Sequence, residues 1–281
     1  MKKYISILML VLSISVSAQT ETIDTAQFVC VYDYQCTTLD HEENPTIDQM
    51  QIAVQVGPSV TKSMPASSYK ALKEDMEKKE VWSSVYLERY SETFLHMPTI
   101  WTGWPEGKTT IRDIIAPNEY EGNEKTPKIT WQIQEDTITV NGYLCKKATT
   151  EFRGVKWDVC YTEEVPSTAG PWRLNGLPGL IILAKSEAHS FVLSELKQES
   201  SPITIDSNPE ILKMKYKKIL KFKNKVFSDK RYAKEPTFYY DVDEAWEKGH
   251  FTLNKNGVYH TFVNGLPHLL QAHVYQPLEL E

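Results

Sequence analysis

An α+β fold dominated by one large, curved antiparallel sheet, a half-barrel or sandwich with one or two peripheral helices, is the class this sequence predicts. Three observations predict it. Apolar and polar side chains alternate from Gln49 to Val56, the pattern of a strand with one wet face. Tyr143 to Phe152 and Val155 to Thr162 flank Arg153-Gly154 as the arms of a hairpin. Gly170 to Leu183, GPWRLNGLPGLIIL, joins turn-forming residues to an apolar run that only a covered, central strand accommodates.

The chain opens with Lys2 and Lys3, an apolar run from Tyr4 to Val16, and the small-residue boundary Val16-Ser17-Ala18. This is the layout of a cleavable signal peptide, residues 1–18 with the cut after Ala18, and its run is shorter than the ~20 residues a spanning helix needs. A periplasmic or secreted protein with no membrane span after cleavage is expected. From Ala26 to Thr38, Phe28, Cys30, Tyr32, Tyr34 and Cys36 alternate with Val29, Val31, Asp33 and Gln35, which predicts a first strand. A polar turn, Asp40 to Pro45, precedes the Gln49 to Val56 strand, and Gly57-Pro58 bends the chain into a short strand at Ser59 to Met64.

Pro65 to Lys79 places Tyr69, Leu72 and Met76 at helical spacing, with Ser67 as the N-cap of a surface helix. Short extended runs return between 93 and 140, including Thr109 to Ile115, Lys128 to Gln134 and Thr137 to Val140, with Pro98, Pro105, Pro117 and Asn123 as punctuation. After the hairpin, Pro166 to Gly179 reads as an ordered loop. Pro171 and Pro178 fix φ there, while Gly176 and Gly179 permit positive φ or close backbone approach. Leu180 to Leu183 then reads as a strand buried on both faces, with Phe191 to Lys197 as its partner.

Ile211 to Lys230 sets Ile211, Leu212, Met214, Tyr216, Ile219, Leu220 and Phe222 among many lysines. A second helix starting near the pre-proline Asn208 is predicted, its lysines most simply a solvated face, with contact to a membrane or an acidic partner as the lesser alternative. Residues 19–200 form the β-rich domain, and 201–281 a helical and mixed extension packed on the same domain. Within the tail, Asn264 to Leu269 (NGLPHL) echoes Asn175 to Leu180 (NGLPGL), a repeated turn type rather than a duplication.

The net charge of −6 argues against a nucleic-acid partner, because phosphate binding needs a basic face that releases counterions. Fifteen Tyr and seven Trp mark a folded, strand-favouring chain. Four cysteines in an exported protein suggest disulfides. Cys30 and Cys36 are six residues apart on one strand, ~20 Å in extended chain against the ~6 Å between bridged Cα atoms, so they do not pair with each other. Either a Cys145 to Cys160 bridge or cross-links from both to the first strand fits the spacing.

With those residues in view, the chain resembles the GLPGLI family, exported proteins of Bacteroidota named for the string at Gly176 to Ile181. Also similar to the family are Trp131, Gly142 to Thr149 (GYLCKKAT), Phe152-Arg153-Gly154, Trp157, Tyr161-Thr162, Pro166 and Gly170-Pro171-Trp172. The closing Tyr275 to Glu281 (YQPLELE) resembles the family's usual end. Departures fall at Val155, where the family tends to carry Arg, and at Cys160, where a small residue is commoner. The resemblance implies export, a β-rich fold and an uncharacterised envelope role, and it brings no catalytic residues.

Candidate chemistry is thin. His250, His260, His268 and His273 crowd the tail near Asp241, Asp243 and Glu244, but their spacing matches no ligand motif. A hydrolase needs a nucleophile beside an oriented base, and there is no G-x-S-x-G elbow. Cys145 or Cys160 with His189 would require reduced thiols, which export disfavours. Glu163-Glu164 and Glu135-Asp136 sit at strand ends or turns, where charges belong. Arg153 and Arg173 offer planar recognition of a carboxylate or phosphate, with surface salt bridging as the default. Trp101 and Trp104 flank a turn and are expected to cover the core edge.

No catalytic, metal or cofactor residues are therefore assigned. Gly170, Pro171, Trp172, Gly176, Leu177, Pro178, Gly179, Leu180 and Ile181 form a structural motif. The expected function is a non-enzymatic binding or assembly module of the cell envelope, taking an unknown hydrophobic, peptide or envelope ligand. A hydrolase or metal-binding protein is the alternative.

Overall fold

The computed structural model describes residues 19–39, 43–78, 97–115, 118–228, 251–253, 259–263, 266–269 and 274–280. The expected signal peptide, residues 1–18, lies outside them. The strands up to the hairpin are β1 (Gln19–Ala26), β2 (Phe28–Leu39), β3 (Pro45–Val56), β4 (Thr61–Pro65), β5 (Thr99–Thr102), β6 (Lys108–Ile115), β7 (Asn118–Lys125) and β8 (Gln132–Val140). The hairpin arms are β9 (Tyr143–Phe152) and β10 (Val155–Thr162), followed by β11 (Leu180–Lys185), β12 (His189–Lys197), β13 (Ser201–Ser207) and β14 (Leu212–Lys213). The helices are α1 (Ala66–Lys78) and α2 (Tyr216–Phe227). In the tail, β15 (Phe251–Leu253), β16 (Tyr259–Val263) and β17 (Leu266–Leu269) make a separate three-stranded sheet.

Twelve strands form one sheet in the order β14-β7-β6-β5-β4-β3-β2-β12-β11-β10-β9-β8. Every pairing is antiparallel except β14 on β7, so the sheet is mixed at one edge only. The chain passes from β7, beside one edge, to β8, at the opposite edge, through residues 126–131 alone. That connection spans at most about 25 Å of extended chain, whereas ten strand spacings of a flat sheet cover about 48 Å. The sheet must therefore roll until its two ends approach, and it does so without closing.

Alternation assigns the faces. On β2, Cys30, Tyr32, Tyr34, Cys36 and Thr38 are buried, while Asp33, Gln35, Thr37 and Leu39 are exposed. The even residues join a main core with Ile52, Val54, Ile111, Trp157, Trp172, Ile182, Phe191, Ile219 and Leu278. Val29, Ala53 and Met64 face the other way and are covered by Ala66, Tyr69 and Leu72 of α1. The β1–β13 pair covers a third cluster, Ala26, Val60, Trp101 and Ile203. β11 has neighbours on both sides and buries all but Leu183 and Lys185, as its apolar sequence requires.

Several local expectations are corrected. β1, β13 and β14 were not foreseen, because their residues carry weak alternation and are ordered by partners distant in sequence. β3 begins at Pro45, inside the expected turn. α1 starts at Ala66, so Ser67 lies in its first turn rather than capping it. Lys128 to Gln134 and Thr137 to Val140 resolve into one strand from Gln132, irregular between Ile133 and Thr137. Asn208 closes a turn, its Oδ1 accepting from Glu210 N at 2.9 Å, and the helix begins only at Tyr216.

The disulfide expectation is overturned: all four cysteines are buried free thiols. β11 and β12 stand between β10 and β2, which puts Cys160 on β10 about 14 Å and Cys145 on β9 about 19 Å from β2, measured along the sheet. Cys160 lies opposite Lys147, not opposite Cys145.

Candidate functional site: a buried charge cluster and an open groove

The segment that leads into β11 packs against the sheet and places its own side chains by backbone turns. Leu174 N donates to Pro171 O, Gly176 N to Thr168 O and Ile181 N to Ala169 O, at 2.9 to 3.1 Å. Trp131 Nε1 donates to Asn175 O at 2.9 Å. Gly176 has φ +94, a conformation side chains resist, and a Cβ on Gly179 would lie 2.1 Å from Thr162 O. Glycine is thus required at both positions. Gly170, Pro171, Trp172, Leu177, Gly179, Leu180 and Ile181 are buried, while Gly176 and Pro178 face solvent.

This packing carries Arg173 into the core with 3% of its surface exposed. Its Nη1 donates to both Oε1 and Oε2 of Glu279 at 3.0 Å, and its Nη2 donates to Glu124 Oε1. The guanidinium stands 5.5 Å from the Phe152 ring, 5.8 Å from Trp172 and 5.3 Å from Tyr216, within cation–π range. Arg153, at the hairpin tip with φ 52 beside Gly154 at φ 77, donates to Glu124 Oε2 at 2.6 Å and lies 3.4 Å from Glu279 Oε2. Tyr216 hydroxyl donates to Glu279 Oε1.

Two arginines and two glutamates thus form a neutral cluster. Burial works against the Arg173 charge, but Glu279, Tyr216 and Glu124 outweigh it and raise its pKa above the ordinary value. The default expectation for Arg173, a surface salt bridge, is corrected: it does recognise carboxylates, but they are the protein's own and lie inside. Beside the cluster, Lys223 Nζ donates to Asp113 Oδ2 at 2.7 Å, both side chains buried. One lysine of the expected solvated face therefore points inward.

The same interior fixes His189. Tyr34 hydroxyl donates to its Nδ1 at 2.9 Å and its Nε2 donates to Pro277 O at 3.2 Å, which sets the tautomer. Burial pushes its pKa down to about 4, so the ring is neutral at pH 7. Burial also raises the Cys145 thiol to about 11 and that of Cys160 above its usual value. Neutral thiols and an imidazole with both nitrogens engaged do not make a nucleophile–base pair.

The remaining candidates have structural partners. Glu163 pairs with Lys146 at 2.9 Å, and Glu164 Oε1 accepts from Leu144 N at 2.9 Å. Glu135 and Asp136 are exposed on β8. Trp101 is buried beneath β13 and donates to Thr204 O at 3.0 Å, with Lys62 and Arg112 over its ring. Trp104 packs at the margin of the same cluster. His250, His273, Asp241, Asp243 and Glu244 lie outside the described residues; His260 and His268 fall on β16 and β17. Among the described residues, no group of three metal-ligating side chains converges.

One open groove borders the motif segment, with a volume of about 680 Å³. It is lined by the run Pro166 to Ala169 with Asn175 and Pro178, and by Gln27, Phe28, Val56, Gly57 to Ser59, Thr61, Thr102, Gly103, Gly107 and Thr126. Hydroxyls, amides and the backbone of glycine and proline turns line it, and among the described residues no ionisable side chain does.

Fold and site together define a β-dominated α+β protein with an extensive aromatic and aliphatic core and a polar groove among its described residues. No protein-family model matches the chain, and no curated protein matches it. Six chains of solved structure do. Two of them, PNGF-II in the P21 and C2 space groups, are each 14% identical, with TM-scores of 0.43 and 0.42. They cover 70% and 69% of this chain and 33% and 32% of PNGF-II, so the chain spans about a third of that protein's length. A likeness this distant carries no argument about activity.

Proposed function

We propose that this is an exported cell-envelope protein of the GLPGLI kind that binds or assembles rather than catalyses. The observation that carries the reading is the groove beside the motif segment, about 680 Å³ and lined, among the described residues, by hydroxyl, amide and apolar groups without an ionisable side chain. Its volume falls within the ~300–1,000 Å³ of ligand sites. Acid–base and nucleophilic chemistry both need a titratable group at the reacting atom, and the described lining offers donors, acceptors and apolar groups instead. The interior of the rolled sheet is occupied by Trp172, Leu174, Leu177, Tyr216 and Leu278. The mixed lining of the groove favours an uncharged ligand such as a peptide segment or a neutral envelope polymer.

The test is native mass spectrometry of protein recovered from its own host, with Thr168→Trp as a variant that fills the groove. A co-purifying uncharged ligand on the parent protein, lost from the variant, is the expected result. Recovery of both proteins without any bound species, or with the same one, would overturn the reading.

A further inference from the structure

The outward face of α2 breaks the rules a surface helix normally follows. Lys217, Lys218, Lys221, Phe222 and Lys225 are exposed, while Tyr216, Ile219, Leu220, Lys223 and Val226 face inward. At ~100° per residue the exposed five occupy an arc of about 140°, with Phe222 at one margin. Immediately before the helix, Lys213 and Lys215 are exposed as well. From Ile211 to Ser228 there is no acidic residue, in a chain whose net charge is −6.

Three features of this stretch oppose helix stability. No acidic residue occupies the first turn, the cap position is Lys215 without a side-chain cap bond, and Lys217 and Lys218 sit at the positive end of the dipole. Lys217, Lys221 and Lys225 repeat at i, i+4, where like charges repel. Apolar side chains are also left in water: Leu212 is 44% exposed, Met214 38% and Phe222 41%. Among the described residues the counter-charge at this face is peripheral, Glu121 at 3.6 Å from Lys213 Nζ. Such departures from local consistency point to function.

We infer that this face is a docking surface for an anionic lipid bilayer. Charge complementarity selects an anionic partner. The apolar fringe selects a bilayer, because Phe222, Met214 and Leu212 enter the headgroup boundary while the lysine stems lie along it with their ammonium groups at the phosphates. A convex helix face bearing charge fits a flat array of headgroups, and each lysine near such a surface contributes to attraction that salt screens. The contact is peripheral: among the described residues no helix is long and apolar enough to cross a membrane.

Cosedimentation of the purified chain with vesicles tests it, comparing an equal mixture of phosphatidylglycerol and phosphatidylcholine with phosphatidylcholine alone. The chain should sediment with the anionic vesicles, release as salt is raised, and lose at least about tenfold in partitioning when Lys217→Glu, Lys221→Glu and Lys225→Glu are combined. Phe222→Ser should leave the salt-sensitive attachment and remove the salt-resistant remainder. Equal partitioning on both vesicle types, or a triple variant that binds as the parent does, would sink the inference. Tighter capture by soluble polyglutamate than by vesicles, unaffected by Phe222→Ser, would assign the face to an acidic polypeptide and overturn it equally.

Discussion

Removing the Arg173 guanidinium leaves the buried Glu279 and the partly buried Glu124 with Arg153, at the margin of the cluster, as their remaining cation. Breaking a buried pair from one side costs about 3–5 kcal/mol, so Arg173→Met should lower the unfolding free energy by that order in denaturant titrations. Adding Glu279→Leu should restore part of it, since the stranded charge is what costs most. A single variant as stable as the parent would show that the cluster contributes nothing. His189 makes a second prediction. Its unfolded pKa is near 6.5 and its folded one about 4, so the unfolded chain binds more protons between those values. The corresponding stability, about 3 kcal/mol, is fully present above pH 6.5 and fades as pH falls through 4. His189→Gln should flatten that slope in melting curves recorded between pH 7 and 4; an unchanged slope would assign it to other groups. At this scale the sequence was half legible. A lone Arg inside the uncharged run GPWRLNGL is a signal for a buried cation that composition already held. Glu124, Glu279 and Tyr216 left none, because nothing local marks a carboxylate whose partner lies 49 or 106 residues away.

Among elements, β8 is the exposed edge of the great sheet, and its sequence guards it. Every side chain from Gln132 to Thr139 is exposed, including Ile133 at 50% and Ile138 at 41%. Glu135 and Asp136 fall in the irregular stretch between Ile133 and Thr137, where a bulge and adjacent charges deter pairing with another chain. Glu135→Val with Asp136→Val should convert this edge into a template for association, seen as concentration-dependent growth in light scattering; a variant that stays monodisperse would show that the edge is protected otherwise. Element identity was the most legible level. The hairpin arms matched residue for residue because Arg153-Gly154 between alternating runs specifies its own register. α2 was placed too early because lysine and apolar residues at 211–215 fit a helical pattern equally well, and β7 claims that stretch as an edge strand instead.

Across the whole molecule, the charge cluster joins parts that backbone pairing leaves separate. Glu124 comes from β7 near one end of the sheet, Arg153 from the β9–β10 tip near the other, and Glu279 from the C-terminal segment. That segment is held at both ends, Val274 N donating to Leu39 O at 2.8 Å and Leu280 N to Arg153 O at 2.9 Å. A chain stopped before Val274 should lose about 5 kcal/mol or more and shift tryptophan emission to the red as Trp172 loses the cover of Leu278. An unchanged spectrum and midpoint would show that the rolled sheet holds without its fastening. None of this was visible from alternation, which reports which face of a strand is wet but not which strand lies beside it. The β2–β12 joint has a consequence for the order of events in biosynthesis. β2 is complete at residue 39, yet the neighbour on its far side ends only at residue 197, and the seal over both waits for residue 280. Until residue 280 has been made, the nascent chain carries a half-dressed ribbon of tyrosine and valine, the kind of long-range sheet surface that associates wrongly when it waits for its partners.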